Sequence, residues 1–159
     1  MANGIIFYEG PSLLDGKPIV GIALAGSSTN SKTGELVQTY ILRSDMHPQD
    51  AINDGHDVSI CGNCTHRKTV GDNGRTCYVF SPSIAQVYKS YQKGSYAPIN
   101  SRNINRFKGR LLRLGSYGDP TAIPQKYWKP IMDVSSAHNS YTHQWQTIKE
   151  DWTKLTMAS

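Results

Sequence analysis

Short strands alternate with helical segments along the second half of this chain, and this alternation is the feature that most limits the possible folds. Strand-like runs begin at Cys77, Arg110 and Ser140, and helix start signals follow them, the first being Ser81-Pro82. Such an order is typical of a parallel sheet. We therefore expect an α/β fold, either a partial β/α barrel or an open parallel sheet, with a last strand over residues 156–159.

The N-terminal third predicts an added β-hairpin rather than a strand–helix unit. Apolar runs at 18–25 and 37–43 flank a polar loop at 27–34, and a further short strand is expected at 5–8. Asp45 is the expected cap of a short helix over 48–52. Later helices are expected from Ser81, from Pro124 with a kink or early end at Pro130, and from the capping-box pair Thr147 and Glu150.

The 159 residues form one domain's worth of chain, so we expect a single α/β domain over 1–159. No apolar run approaches the ~20 residues of a membrane span. The N-terminus lacks the basic and apolar segments of a signal peptide, so we expect a cytoplasmic protein without a membrane partner. The net charge of +5 permits a polyanionic partner without requiring one.

All three cysteines lie close together, between Cys61 and Cys77. Cys61 and Cys64 have the C-x-x-C spacing that binds one metal from a tight turn, and His66 follows directly. One interpretation is a structural Zn²⁺ bound by Cys61, Cys64, Cys77 and His66. A second is an iron–sulfur cluster on the three cysteines with one iron open to a ligand. A third is ordinary thiols with a labile disulfide and a solvent-exposed His66.

Candidate catalytic residues follow from the rule that sites in parallel α/β folds gather at the carboxyl ends of strands. That rule selects Asp119 after one predicted strand, and Tyr141, His143 and Gln144 at the end of the next. Asp119 is also a common turn residue, and His143 has an alternative role in structural hydrogen bonding.

Gly115 and Gly118 lie in the turn before Asp119 and are the candidate cofactor-binding residues. Their turn is too short to match a P-loop or a Rossmann motif.

Five motifs follow one another along the chain: Cys61-Gly-Asn-Cys-Thr-His-Arg, Arg75-Thr-Cys-Tyr-Val, Arg113-Leu-Gly-Ser-Tyr-Gly-Asp-Pro, Tyr141-Thr-His-Gln-Trp and Met157-Ala-Ser. In this order they resemble a family of phage and prophage proteins of unassigned function that are distantly similar to radical-SAM β/α barrels. The resemblance implies a metal or iron–sulfur site on the three cysteines and a pocket lined by the four candidate catalytic residues. Members of that family continue beyond Met157-Ala-Ser, so the resemblance implies that residues 1–159 are either a short variant or the N-terminal part of a longer architecture, in host cytoplasm. The C-x-x-x-C-x-x-C cluster motif of radical-SAM enzymes is absent from the sequence.

Two functional hypotheses follow from these patterns. One is a phage-encoded, metal-binding, enzyme-like protein that acts on a small molecule or nucleotide at the strand ends. The alternative is a small phage effector whose zinc is structural and whose basic segment from Arg102 to Arg113 binds nucleic acid weakly, or binds a host protein.

We also expect a homodimer. The hairpin is expected to cover one edge of the sheet, and a second copy of the chain the other edge, near Ser159 or Cys77.

Overall fold

The computed structural model describes residues 4–26, 36–68, 74–79 and 81–159. The strands in these ranges are β1 (Gly4–Pro11), β2 (Pro18–Leu24), β3 (Val37–Arg43), β4 (Ala97–Pro98), β5 (Leu111–Tyr117), β6 (Ala137–Thr142) and β7 (Met157–Ala158). The α-helices are α1 (Pro48–Asn53), α2 (Val58–Cys61), α3 (Ser81–Gln92) and α4 (Gln125–Val134). Short 3₁₀ helices cover Asn103–Phe107, Pro120–Ala122 and Glu150–Lys154.

The described strands form one mixed sheet in the order β4-β1-β2-β3-β5-β6-β7. The pairs β1–β2 and β2–β3 are antiparallel, which confirms the predicted N-terminal hairpin of β2 and β3. From β3 onward the neighbours β5, β6 and β7 are all parallel. The fold class is therefore α/β, as predicted, while the predicted barrel closure is not confirmed and the sheet is mixed rather than wholly parallel.

The core surrounds the middle of the sheet. All residues from Ile19 to Ala23 in β2 are buried, so both faces of this strand are covered. On one face α4 packs against β1, where the Trp128 ring lies 4.6 Å from the Phe7 ring. Helix α3 contributes the predicted apolar stripe, in which Ile84 and Val87 are buried. Among the described residues, no helix has the length and apolar character needed to cross a membrane.

The sequence predicted a parallel strand that begins at Cys77, and the structure has a different strand in its place. Residues 77–79 form no strand, and Cys77 N donates to His66 O instead. The place beside β5 belongs to β3, a seven-residue strand with five buried positions, where the short 77–80 segment was expected. The hairpin consequently lies inside the sheet and covers no edge, and the edges are β4 and β7. A second copy at an edge remains a prediction.

Smaller differences have local causes. His47, not Asp45, caps α1 by accepting from Gln49 N, since the Asp45 carboxylate pairs with Arg43. Helix α4 continues through Pro130 to Val134. The last predicted helix is a short 3₁₀ helix. The predicted polar loop at 27–34 lies outside the described residues.

Candidate functional site at the carboxyl ends of the parallel strands

A cavity of about 330 Å³ lies where β5, β6 and β7 end. Its wall includes all four candidate metal ligands, Cys61, Cys64, His66 and Cys77. It also includes five of the six residues predicted from the strand ends, namely Asp119, Tyr141, His143, Gly115 and Gly118. Gln144 is the exception. Residues from two distant segments are thus brought to one place, at the rim predicted by the strand-end rule.

The cysteine segment reaches this rim as a compact turn. Helix α2 ends at Cys61, and Cys64 N donates to Cys61 O at 3.2 Å. Gly62 adopts a φ of +53°, a conformation that favours glycine. Its Cβ, if present, would lie 2.5 Å from the Gln144 side chain. Both features explain the glycine within the C-x-x-C pair.

Gln144 fastens that turn to the end of β6. Its Nε2 donates to Cys61 O at 3.0 Å, and its Oε1 accepts from Asn63 N at 3.2 Å. The side chain is buried, and both ends of its amide are engaged. The structure therefore gives Gln144 a positioning role behind the cavity wall, and its predicted catalytic role remains a prediction.

Arg67 holds the other side of the turn. Its guanidinium forms an ion pair of 2.6 Å with the buried Asp57 carboxylate and also donates to Gly62 O and Gly55 O. Neither Asp57 nor this role of Arg67 was predicted from the sequence. One signal in the sequence could have revealed this ion pair. It is an arginine shortly after the C-x-x-C turn, with an aspartate ten residues before that arginine.

The thiol groups of Cys61 and Cys64 are held in their neutral form. Burial is the main cause that raises the pKa of Cys61, well above its usual range, and the nearby Asp57 adds to it. Burial also raises the pKa of Cys64, although the backbone N–H groups of His66 and Arg67 oppose this rise by hydrogen bonding. Within the described ranges, no three or more His, Cys, Asp or Glu side chains are grouped so that they could hold a metal ion.

Asp119 is a hydrogen-bond hub at the floor of the site. Its Oδ1 accepts from Thr121 N at 3.0 Å, from Thr121 Oγ1 at 2.7 Å and from Thr142 Oγ1 at 2.9 Å. Its Oδ2 accepts from His143 N and again from Thr142 Oγ1, both at 2.9 Å. These bonds join the end of β5 to the end of β6 and occupy both oxygens. The sequence-predicted catalytic role of Asp119 remains a prediction, beside a structural role that the geometry explains directly.

Two histidine rings are in contact at the wall of the same cavity. The His66 and His143 rings lie edge to face with centroids 5.6 Å apart, and His66 Nδ1 lies 2.9 Å from Thr76 Oγ1. One ring comes from the cysteine segment and the other from the end of β6. Tyr141 is half-exposed at the cavity wall. The arrangement places two nitrogen bases and an aromatic face beside the thiols.

The two candidate cofactor-binding glycines have structural reasons to be glycine. Gly115 has a φ of +68°, and a Cβ there would lie 2.5 Å from Gly118 O. Gly118 has a φ of +84°, and its Cβ would lie 2.7 Å from Ile41 Cβ. Both residues line the cavity, so the close turn they permit also shapes its wall.

Among the wall residues that sequence reasoning missed are Tyr78, Arg113, Ser116 and Tyr117. The last three belong to β5, whose end had been selected only for its glycines and Asp119. Arg113 had been assigned to the basic segment, yet its Nη2 donates to Tyr78 Oη at 2.6 Å beside the cavity. Arg110, in the same segment, donates to Ala25 O and Gly26 O. Two arginines of the basic segment therefore form hydrogen bonds within the fold, and nucleic-acid binding by this segment remains a prediction.

Comparisons of the chain with protein-family models, curated proteins and solved structures found no match.

Proposed function

We propose that this chain is a metal-dependent, enzyme-like α/β protein that acts on a small molecule or nucleotide in the cavity at the strand ends. The observation that carries the proposal is the convergence of three thiols and two imidazoles on one cavity at the carboxyl ends of parallel strands. Its volume of about 330 Å³ is in the range of small-ligand pockets. The phage affiliation and the cytoplasmic location belong to the same proposal.

The metal in this proposal is Zn²⁺ or an iron–sulfur cluster bound by Cys61, Cys64 and Cys77. The donor chemistry fits, because thiolates and imidazole are the usual ligands of zinc and thiolates those of iron–sulfur clusters. Backbone N–H groups of His66 and Arg67 oppose the rise that burial causes in the pKa of Cys64, although burial is the larger effect. Binding requires the thiols to come closer together than they lie in this structure. The bound metal would supply Lewis-acid or redox chemistry at the cavity.

The chain's own residues have separate tasks in this proposal. Arg67 and Gln144 hold the cysteine turn in place, and Asp119 holds the two strand ends together. His143 and His66 are the bases within reach of a ligand in the cavity. His66 is also the candidate fourth ligand of a Cys₃His zinc site.

Metal analysis tests this proposal. The protein is purified both aerobically and anaerobically, its zinc and iron are counted per chain, and its visible spectrum is recorded. We expect about one zinc per chain, or iron with the broad visible absorption of a cluster. Cys77→Ser should remove the metal and lower the melting temperature, since in a small metal site binding energy is folding energy.

His66→Asn separates the two kinds of metal site, and His138→Asn is its matched control because His138 is exposed in β6. Loss of zinc affinity in the His66 variant alone indicates a Cys₃His site, whereas unchanged iron content indicates a cluster on the cysteines only. Less than about a tenth of an equivalent of zinc plus iron in both preparations overturns the proposal and leaves ordinary thiols.

A further inference from the structure

The cavity lies where two neighbouring strands separate. Strand β6 pairs with β5 only as far as the pair Leu114–Ser140. From Tyr141 onward β6 pairs with β7 instead. The end of β5 meanwhile stays with β3, where Tyr117 is the partner of Tyr40. Between the two strand ends the sheet opens into a cleft, and such a cleft is the usual ligand position in open α/β sheets.

A bulge in β5 sets the shape of one wall of this cleft. Three residues of β5 lie between Arg113 and Tyr117, opposite the single residue Thr39 of β3. Thr39 Oγ1 fills the gap by donating to Arg113 O and accepting from Gly115 N, both at 2.8 Å. The bulge redirects Ser116 and Tyr117 at the cavity, a common use of bulges beside functional sites.

Two hydroxyl groups of the cavity wall, those of Ser116 and Tyr117, have no hydrogen-bond partner among the described residues, and neither does that of Ser140 on the neighbouring strand β6. All three side-chain oxygens are buried. Ser116 and Tyr117 line the cavity, and Tyr117 is only 3% exposed. Buried hydroxyls in folded proteins nearly always have a partner, so the two at the cavity wall point to a bound polar molecule.

Arg113 supplies a positive charge at the cleft. Among the described residues, no carboxylate lies within ion-pair distance of Arg113, which lines the cavity. Asp119 also lines the cavity, but its two oxygens are occupied by the hydrogen bonds described above. Burial, with the nearby Cys61 and Asp57, raises the pKa of Tyr117, so its hydroxyl stays protonated and can donate. The cleft thus offers a guanidinium and hydroxyl donors to a ligand.

We propose that the cleft between β5 and β6 binds a phosphate monoester, with Arg113, Ser116 and Tyr117 donating hydrogen bonds to its phosphate group. The half-exposed Tyr141 and the exposed Tyr78 offer aromatic faces at the same cavity, which suit a nucleobase. The ligand class is therefore a nucleoside monophosphate or a related sugar phosphate. This inference rests on the proposed function, because it names the ligand class for the same cavity.

Thermal unfolding and calorimetric titration with defined compounds test the inference. The phosphate-bearing probes are AMP and ribose 5-phosphate, and adenosine and ribose are their uncharged counterparts. We expect the two phosphates to raise the melting temperature of the wild-type protein and the uncharged compounds to leave it unchanged. Binding should weaken as salt concentration rises, because the contact to Arg113 is ionic.

Variants assign the binding to the cleft. Arg113→Gln should weaken AMP binding at least about tenfold, since a bidentate charged contact is lost, while Arg113→Lys should be intermediate. The matched control is Arg102→Gln, an exposed site with the same loss of charge outside the cavity. Tyr117→Phe should weaken AMP binding several-fold while keeping the ring and hence the fold.

The outcomes separate this inference from the proposed function. Equal binding of adenosine and AMP, unaffected by Arg113→Gln, overturns the phosphate assignment and leaves a small-molecule cavity in place. No binding of any of the four probes also overturns the phosphate assignment. The metal analysis uses none of these compounds, so it decides independently whether the metal-dependent function fails.

Discussion

At the scale of single residues, the hydrogen bonds of two polar side chains at the strand ends explain why these residues are there. Asp119 and Gln144 were selected as catalytic candidates because they follow predicted strands. In the structure Asp119 joins β5 to β6, and Gln144 joins β6 to the cysteine turn. Their bonds hold the cavity wall together, so they determine where the thiols and imidazoles lie.

Asp119→Asn should therefore lower the free energy of unfolding, by about 2 kcal/mol. An amide has only one acceptor oxygen, so its NH₂ group would face a donor such as His143 N or Thr121 N. Urea unfolding measures the change. The control is the exposed Asp54→Asn, expected to change stability by less than about 0.5 kcal/mol. An unchanged stability in Asp119→Asn would show that these hydrogen bonds contribute little.

At the scale of elements, the cysteine turn is an element that depends on a nearly buried ion pair. The Arg67 side chain is 15% exposed and the Asp57 side chain 3% exposed. The same guanidinium binds the carbonyls of Gly62 and Gly55, so one side chain fixes both ends of the α2 region. The predicted metal loop is thereby supported by contacts that are independent of any metal.

Arg67→Gln should destabilise the protein by about 3–5 kcal/mol, because it leaves the Asp57 carboxylate buried without its charged partner. Lys68→Gln, one residue along, removes the same charge and is its control. Urea unfolding gives the magnitude, and hydrogen exchange of the amides in α2 shows whether the loss is local. If both variants unfold alike, the ion pair does not hold the turn.

At the scale of the whole molecule, the fold resists ionisation of its tyrosines. Burial is the main cause that raises the pKa of five of them, Tyr8, Tyr40, Tyr88, Tyr91 and Tyr117. For Tyr91, which donates to the Glu9 carboxylate and so links α3 to β1, the pKa rises to about 12. The sheet and its helices are therefore sensitive to alkaline conditions.

Stability should fall as the pH rises from about 10 to about 12. The unfolded chain loses its tyrosine protons near pH 10, whereas the folded chain keeps them, so deprotonation favours unfolding in this window. Chemical denaturation at a series of pH values measures the slope, and absorbance at 295 nm follows tyrosinate. Tyr91→Phe should make the slope shallower, while an equal slope in this variant would assign the effect to other groups.

The order of elements could be predicted from the sequence because the signals are local. Apolar runs and a helical stripe such as Ile84 with Val87 depend on a few neighbouring residues, and they predicted β2, β3, β5, β7 and α3. They also predicted β6, which begins at Ala137 rather than at Ser140. The strand-end rule then placed Asp119, Tyr141 and His143 at one rim, because parallel strands end on the same side of a sheet.

Only the tertiary structure decided which strand lies beside β5 and what each rim residue contacts. Local patterns favoured the segment at Cys77, but pairing with the largely buried β3 buries more surface and satisfies more backbone groups. The separation of β5 from β6, and the unpartnered hydroxyls beside it, depend on contacts between residues far apart in the chain. Such contacts leave no periodic trace in the sequence, so Arg113 and Tyr117 became visible as site residues only in the folded protein.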